Sequence, residues 1–279
     1  SDGQLGLEFQ KISNSYDSSS WIFSTIKTLD LLRLETISFF LNNINPSVIV
    51  NCAAYTNVDK AETEPKLANT INYKAVDIIS RWTSFNQKKL IHISTDYVFD
   101  GLSKLPLSEN SITKPVNEYG SSKLKGEIAC LKNDPNSMVI RTSWLYSSFG
   151  KNFVKTMIDL MKKNKSVKVV NDQIGSPTYA HDLARLIIEI IINYKNESGL
   201  FHYSNDGEIS WFDFARSIKE LYNLDCKIIG VSSKEFKTLA KRPKYSLLNK
   251  SKIKTTFNLE IPNYKQSLED CIKVIKNEA

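Results

Sequence analysis

The strongest constraint on this chain is a repeated alternation of short apolar runs with segments of helical periodicity. Ser47 to Asn51 (SVIVN) is apolar, follows Pro46 and ends at Ala53-Ala54. Residues 64–86 then place apolar side chains at helical spacing: Leu67, Ile71, Ala75, Ile78, Ile79 and Trp82. Lys89 to Ser94 (KLIHIS) is a second run, ending at Thr95-Asp96, and Ser137 to Thr142 (SMVIRT) is a third, with a helix predicted over 117–132 between them. Further helices are predicted over 153–163, 182–194, 211–222 and 264–276, and a further strand over 167–170. Strands separated by helices reach their neighbours through crossovers, which gives a parallel sheet covered on both faces. The pattern therefore predicts an α/β fold with a doubly wound parallel sheet. Ligands of such sheets sit beyond the carboxyl ends of the strands. Residues 51–56, 94–97 and 142–146 are thus expected to line one cleft.

A chain of 279 residues sits near the upper limit of one compact unit, so a main domain with a smaller lobe is expected. The sheet domain is placed at 1–145, with 166–200 returning to it. The smaller, C-terminal lobe, which would carry a substrate, is placed at 146–165 and 201–279. No apolar run approaches the roughly 20 residues of a membrane helix, and the chain opens on polar Ser1-Asp2-Gly3, so no membrane partner and no leader are expected. Cys52, Cys130, Cys226 and Cys271 are not spaced as metal-binding pairs. They are read as reduced thiols and the compartment as cytoplasmic. The net charge of +7 is spread along the chain, with no basic and aromatic cluster. It therefore points to a lysine-rich solvated surface rather than to nucleic acid. Its positive field suits an anionic nucleotide substrate.

Two motifs carry chemistry. Gly3-Gln4-Leu5-Gly6 precedes a helical stretch, Leu7 to Ile12. Glycines at a strand-to-helix turn let the backbone approach a pyrophosphate seated on the helix N-terminus, although such a turn alone is a weak signal. The strand and glycine that usually precede this turn would lie before Ser1, so the sequence is read as beginning downstream of them. The second motif is Tyr119-Gly120-Ser121-Ser122-Lys123. Its Tyr and Lys share one helix face. A neighbouring ammonium lowers a phenol's pKa from its usual value near 10. The pair can then hand a proton to a carbonyl oxygen as hydride reaches the carbon. Thr95 can donate a further hydrogen bond to that oxygen, and Trp144 offers an aromatic face to a sugar ring. Packing in the core is the competing reading of Trp144, and a surface pair that of Tyr119 and Lys123.

The chain resembles the dTDP-4-dehydrorhamnose reductase family of the extended short-chain dehydrogenase/reductase superfamily. The stretches that carry the resemblance are NCAAYTNVDKAETEP at 51–65, ISTDYVFDG at 93–101, EYGSSKLKGE at 118–127, IRTSWLYSSFGKNFVKTM at 140–157, VVNDQIGSPTYAHDLA at 169–184 and AKRPKYSLLN at 240–249. The resemblance implies a Rossmann-type sheet and hydride transfer from NADPH or NADH to C4 of dTDP-4-dehydro-L-rhamnose, giving dTDP-L-rhamnose. It implies Tyr119 as proton donor, Lys123 as the lysine that holds the cofactor ribose and lowers the tyrosine pKa, and Thr95 as the third catalytic residue. Asp96 and Trp144, with Thr95, match sugar contacts. Gly3, Gln4 and Leu5 match the pyrophosphate turn, Asp30 and Leu31 the adenine contacts, and Ala54, Tyr55 and Thr56 the loop lining the cofactor. A homodimer is the implied assembly.

Two departures from the family pattern modify these expectations. Some relatives hold magnesium through an early glutamate, matched by Glu8, and acidic residues near the Asp-Leu-Ala helix. Here His181 stands where a second glutamate is expected, and hard cations favour oxygen ligands, so bound magnesium is not expected. Phe23-Ser24-Thr25, read as the end of the second strand, carries no acid to repel a 2′-phosphate, which favours NADPH. Two alternatives remain at this point. One is another nucleotide-sugar epimerase or dehydratase, although dehydratases follow the threonine with Asp-Glu and Thr95 is followed by Asp96-Tyr97. The other is a non-catalytic binding protein similar to the regulatory subunit of methionine adenosyltransferase.

Overall fold

The computed structural model describes residues 1–13, 15–16, 21–194 and 196–277. Its central sheet contains four parallel strands in the order β1 (Val48–Asn51), β2 (Lys89–Thr95), β3 (Met138–Thr142) and β8 (Gly199–His202). Asn51 pairs with His92, Thr95 with Thr142, and Arg141 with His202, so the carboxyl ends of all four strands share one edge. The alternation of side chains along each strand builds two cores. On one face Ile91, Ile93, Met138 and Ile140 pack with α1 (Gln4–Ser13) and α8 (Ala180–Asn193). On the other, Leu90 and Val139 pack with α2 (Leu34–Ile44), α5 (Ala75–Phe85) and α6 (Glu118–Asn133). The doubly wound parallel sheet expected from the sequence is therefore present.

Two expectations about elements need correction. Residues 21–25, expected as a strand ending at Thr25, join no ladder. A strand needs a hydrogen-bonding neighbour, and among the described residues the Ser24 carbonyl receives the Ser1 amino group rather than a strand amide. The segment is instead held by side chains, with Trp21 stacked on Phe23 and tilted against Phe9. The predicted helix over 64–86 is also interrupted. After α3 (Val58–Thr63), α4 (Pro65–Asn69) gives way to a π-helical turn, Thr70–Lys74, before α5 begins. A π turn inserts a residue into the helical count and rotates the faces. Ala75, Ile79 and Trp82 are buried as expected, whereas Ala68, Asn72 and Val76 also take buried places and Leu67, Ile71 and Ile78 are only half-buried.

The remaining elements form a second core. It gathers Tyr146 of β4 (Leu145–Tyr146), Val154, Met157 and Met161 of α7 (Phe153–Lys163), and Val167 and Val169 of β5 (Ser166–Val170). Phe214 and Ile218 of α9 (Trp211–Tyr222), and Leu268 and Ile272 of α11 (Tyr264–Asn277), complete it. β5 pairs in parallel with β10 (Lys227–Val231), not with the central sheet. Within the span 166–200, α8 packs on the central sheet and the start of β8 joins it, while β5 stands apart. Short pairings join β4 to β7 (Thr178–Tyr179) and β6 (Ile174–Gly175) to β9 (Ile209–Ser210). Residues 239–249, ahead of α10 (Ser251–Phe257), run back along the 99–109 loop. Tyr245 N–H donates to the Gly101 carbonyl at 3.2 Å, Leu107 N–H to the Leu247 carbonyl at 2.8 Å, and Asn249 N–H to the Leu107 carbonyl at 2.7 Å. This strap ties the second core to the sheet. Among the described residues no helix is long and apolar enough to cross a membrane.

Candidate active site

The site is assembled at the carboxyl edge of the sheet. β2 delivers Thr95 and Asp96, both buried. The Thr95 hydroxyl donates to Asp96 Oδ1 at 3.2 Å and accepts from the Tyr97 amide at 3.2 Å, starting a 3-10 turn over Asp96–Val98. The other carboxylate oxygen of Asp96 is buried with no hydrogen-bond partner among the described residues. Burial raises the Asp96 carboxyl to about 6, while the hydroxyls of Ser246 and Thr95 hold it down.

α6 brings Tyr119 to the same place. Asn117 caps this helix by accepting from Gly120 N–H at 2.7 Å, and Glu62 accepts from Glu118 N–H at 2.8 Å. The first turn lies so close to the strand end that a Cβ on Gly120 would fall 2.1 Å from the Tyr97 carbonyl oxygen. Only a residue without a side chain fits there. The half-buried Tyr119 ring meets Tyr97 edge-on, with centroids 5.5 Å apart and planes at 73°. Its phenol is pushed up to about 12, first by burial and also by the Asp96 carboxylate, against the lowering effect of the Thr95 hydroxyl.

This upward direction differs from the lowering expected of Lys123. Lys123 is buried, and its ammonium donates to the Ile93 carbonyl at 2.6 Å. Burial drops its own pKa to about 8, with Glu127 opposing. With its charge turned to the strand backbone, Lys123 is not among the groups that shift Tyr119. Glu127, one turn further along α6, is held by a buried bidentate pair with Arg141 at 2.7 Å and receives the Ser94 hydroxyl. Arg141 in turn faces His202 Nε2 at 3.3 Å, and His202 Nδ1 faces the Leu107 carbonyl at 3.0 Å. This network packs the floor of the site.

The expected cofactor positions lie at the start of α1, in the turn before α2 and in the loop after β1. Gly3 precedes α1 and has open space where a side chain would point. Gln4, in the first turn, has a buried side-chain oxygen without a partner, and the Ser148 hydroxyl is in the same state. Gly150 lies close enough that a Cβ there would sit 3.2 Å from the Gln4 side chain. A helix N-terminus with an open glycine and unsatisfied polar atoms fits a dinucleotide pyrophosphate. Leu5 is buried in the core beneath. Asp30 accepts from Leu32 N–H at 2.9 Å, closing a turn, while Leu31 packs with the α2–α5 core. Ala54 is half-buried and Thr56 exposed. The Tyr55 side chain turns away to Glu64, its hydroxyl donating at 2.5 Å.

Sequence reasoning missed Asn72. This residue is fully buried in the π turn. It accepts from Tyr55 N–H at 2.8 Å, donates to the Tyr55 carbonyl at 3.1 Å and donates to the Ser122 hydroxyl at 2.9 Å. Ser122 passes its own proton to the Tyr119 carbonyl at 2.8 Å. Asn72 thereby fixes the 54–56 loop against the helix of Tyr119 and Lys123. A polar residue on the buried side of an otherwise apolar helix was the signal available.

Trp144 adopts a left-handed backbone, φ 50°, which is uncommon for a large residue. One ring face is stacked on Trp211 at 3.6 Å and 9°, and the ring edge packs on Gly175. Trp144 is thus half-buried, with one ring face committed to packing. Glu8, by contrast, is fully buried. It accepts from Ser147 at 2.5 Å and faces His181 Nδ1 at 3.3 Å, while Asp182 accepts from Asn205 at 2.7 Å and Ser267 at 2.6 Å. Two surface hollows, about 430 Å³ beside Trp82 and Phe85 and about 380 Å³ beside Lys250 and Lys254, share no residue with this cleft. Chemistry rather than volume locates the site.

The sequence of residues 1–277 matches the family model described as RmlD substrate binding domain. The chain is 38% identical to a dTDP-4-dehydrorhamnose reductase of Sinorhizobium fredii, over 85% of this chain and 83% of that protein. It is 35% identical to the Escherichia coli enzyme of the same name, over 94% and 91%. A crystal structure of a dTDP-4-dehydrorhamnose reductase from Clostridium acetobutylicum superposes with a TM-score of 0.93 at 38% identity, covering 99% of this chain and 97% of that one. A Bacillus anthracis enzyme of that name, solved in complex with NADP, superposes at 0.92 and 37% identity, covering 98% and 96%. With its parallel sheet, its Tyr119 and Lys123 on one helix and this breadth of similarity, the chain belongs to the RmlD substrate binding domain family.

Proposed function

We propose that this chain reduces the C4 ketone of dTDP-4-dehydro-L-rhamnose to dTDP-L-rhamnose with NADPH, NADH being the alternative donor. The reading is carried by one observation: the phenol of Tyr119 and the hydroxyl of Thr95 stand together at the strand edge beside a buried, unpartnered oxygen of Asp96. The bound nicotinamide supplies hydride. Tyr119 and Thr95 direct two hydroxyl donors at the carbonyl oxygen and stabilise the negative charge that develops there. Tyr119 then transfers its proton to that oxygen. The phenol is protonated at neutral pH and gives its proton to the alkoxide, a far stronger base, as that forms beside it. Gly3, Gln4 and Leu5 would hold the pyrophosphate, Asp30 and Leu31 the adenine, and Ala54, Tyr55 and Thr56 the remaining edge. Lys123 would exchange its Ile93 carbonyl for the ribose hydroxyls. Asp96 and Trp144 would orient the sugar.

The discriminating experiment follows cofactor oxidation on a panel of dTDP-, CDP- and GDP-linked 4-keto sugars. The proposal expects turnover with the dTDP sugar and NADPH. Protein that purifies with stoichiometric nicotinamide and oxidises none of it on the panel contradicts the proposal and favours an epimerase. Magnesium is not required on this reading, which the engagement of Glu8 by Ser147 and His181 supports. EDTA is therefore expected to leave the rate unchanged; a loss restored by magnesium overturns that part.

A further inference from the structure

Arg242 lies on the strap, far along the chain from Tyr119, yet it reaches the wall of the cleft. Its guanidinium meets Asp59 Oδ2 at 2.8 Å and the Ala240 carbonyl at 3.3 Å. Asp59 also accepts from Ala240 N–H at 2.9 Å, so the first turn of α3 grips the strap by backbone and side chain together. A residue earlier, the Lys241 carbonyl receives the Asn117 side chain at 2.7 Å, and Asn117 caps the helix that carries Tyr119. The same guanidinium lies beside the Tyr97 phenol, and its charge works against the burial that pushes this phenol up. Tyr97 in turn meets Tyr119 edge-on at 5.5 Å, and its carbonyl presses on Gly120.

We propose that Arg242 is a positioning residue for the proton donor: anchored by Asp59, it holds the Tyr97 phenol so that the Tyr97 ring braces Tyr119. This rests on Tyr119 being the donor. A planar guanidinium can serve a carboxylate, a carbonyl and a phenol at once, whereas a lysine offers a single point charge. The Asp59–Arg242 pair is partly solvated, with 41% and 23% of the two side chains exposed, and such pairs contribute little to stability. Its use is therefore geometric. It also links the 51–64 segment, which includes the expected cofactor loop, to the aromatic pair at the reacting end.

The test is a double-mutant cycle of Arg242→Met and Tyr97→Phe, with Arg242→Lys as the conservative variant. Arg242→Met is expected to lower kcat about tenfold while changing KM for the nucleotide sugar less than about twofold. Arg242→Lys should recover part of the loss, and Arg242→Met should add little in the Tyr97→Phe background. Multiplying effects in the double mutant, or a loss confined to KM, overturns the proposal. Spectra of ring-labelled tyrosine read the same brace without substrate. Arg242→Met should displace the Tyr119 resonances, and unchanged resonances overturn the proposal whatever the activity. Wild-type protein inactive on every keto sugar sinks the reduction itself and leaves these spectra to decide the brace.

Discussion

Burial of the charged Lys123 carries an energetic cost that ligand hydroxyls around its ammonium would offset. Its ammonium has three protons to place, and among the described residues it donates to one acceptor, the Ile93 carbonyl. Its pKa of about 8 in the folded protein against 10.5 for an ordinary lysine means that the unfolded chain binds the extra proton between those values. Stability therefore rises as pH climbs from 8 to 10.5, and the penalty is fully present below 8, where it is about 3 kcal/mol. Lys123→Met is expected to melt higher than the wild type at pH 7 without cofactor, and the gap should close toward pH 10.5. The same variant should bind NADPH more weakly and turn over more slowly. A melting temperature at or below wild type at pH 7 contradicts the burial argument, and unchanged NADPH affinity contradicts the ribose role. That Tyr119 and Lys123 share a helix and that Thr95 ends a strand was legible in the sequence. The direction of the Tyr119 shift was not, because it follows first from burial. Arg242 and Asn72 were also hidden, since their partners lie far away in sequence.

At the scale of elements, the π turn at Thr70–Lys74 and helix α6 are fitted to one another. A Cβ on Gly126 would fall 2.1 Å from the Asn72 carbonyl oxygen, and this is backbone, which cannot swing aside. Gly126→Ala is therefore expected to destabilise the protein by about 1–3 kcal/mol through overpacking, and to lower the rate by pushing the Tyr119 helix off the 54–56 loop. A wild-type denaturant midpoint with wild-type turnover contradicts this fit. The strands β1, β2 and β3 could be read from sequence because buried parallel strands are continuous apolar runs. The helix over 64–86 was read correctly as helical, with Ala75, Ile79 and Trp82 buried as expected, but Leu67 and Ile71 proved half-buried and Asn72 took a buried place instead. A helical count assumes 3.6 residues per turn throughout, and the inserted residue of the π turn breaks that assumption where Asn72 is needed. Residues 21–25 show the opposite failure, an apolar segment that finds side-chain contacts but no ladder.

For the whole molecule, the sequence indicated a parallel sheet and a second cluster of elements, but not how the chain returns between them. β5 looks like one more strand of the sheet, and its choice of β10 is a non-local pairing that no local pattern encodes. The strap over 239–249 is equally invisible, because its backbone bonds to the 99–109 loop depend on tertiary placement. These long-range returns close the cleft around Thr95, Asp96 and Tyr119. The most direct measurement is single-turnover reduction of dTDP-4-dehydro-L-rhamnose by NADPH, comparing wild type with Tyr119→Phe. Loss of the phenol proton is expected to slow reduction by about a hundredfold or more while nucleotide-sugar affinity stays close to wild type. Near-normal reduction by Tyr119→Phe would remove that phenol from the chemistry and with it the account of this site.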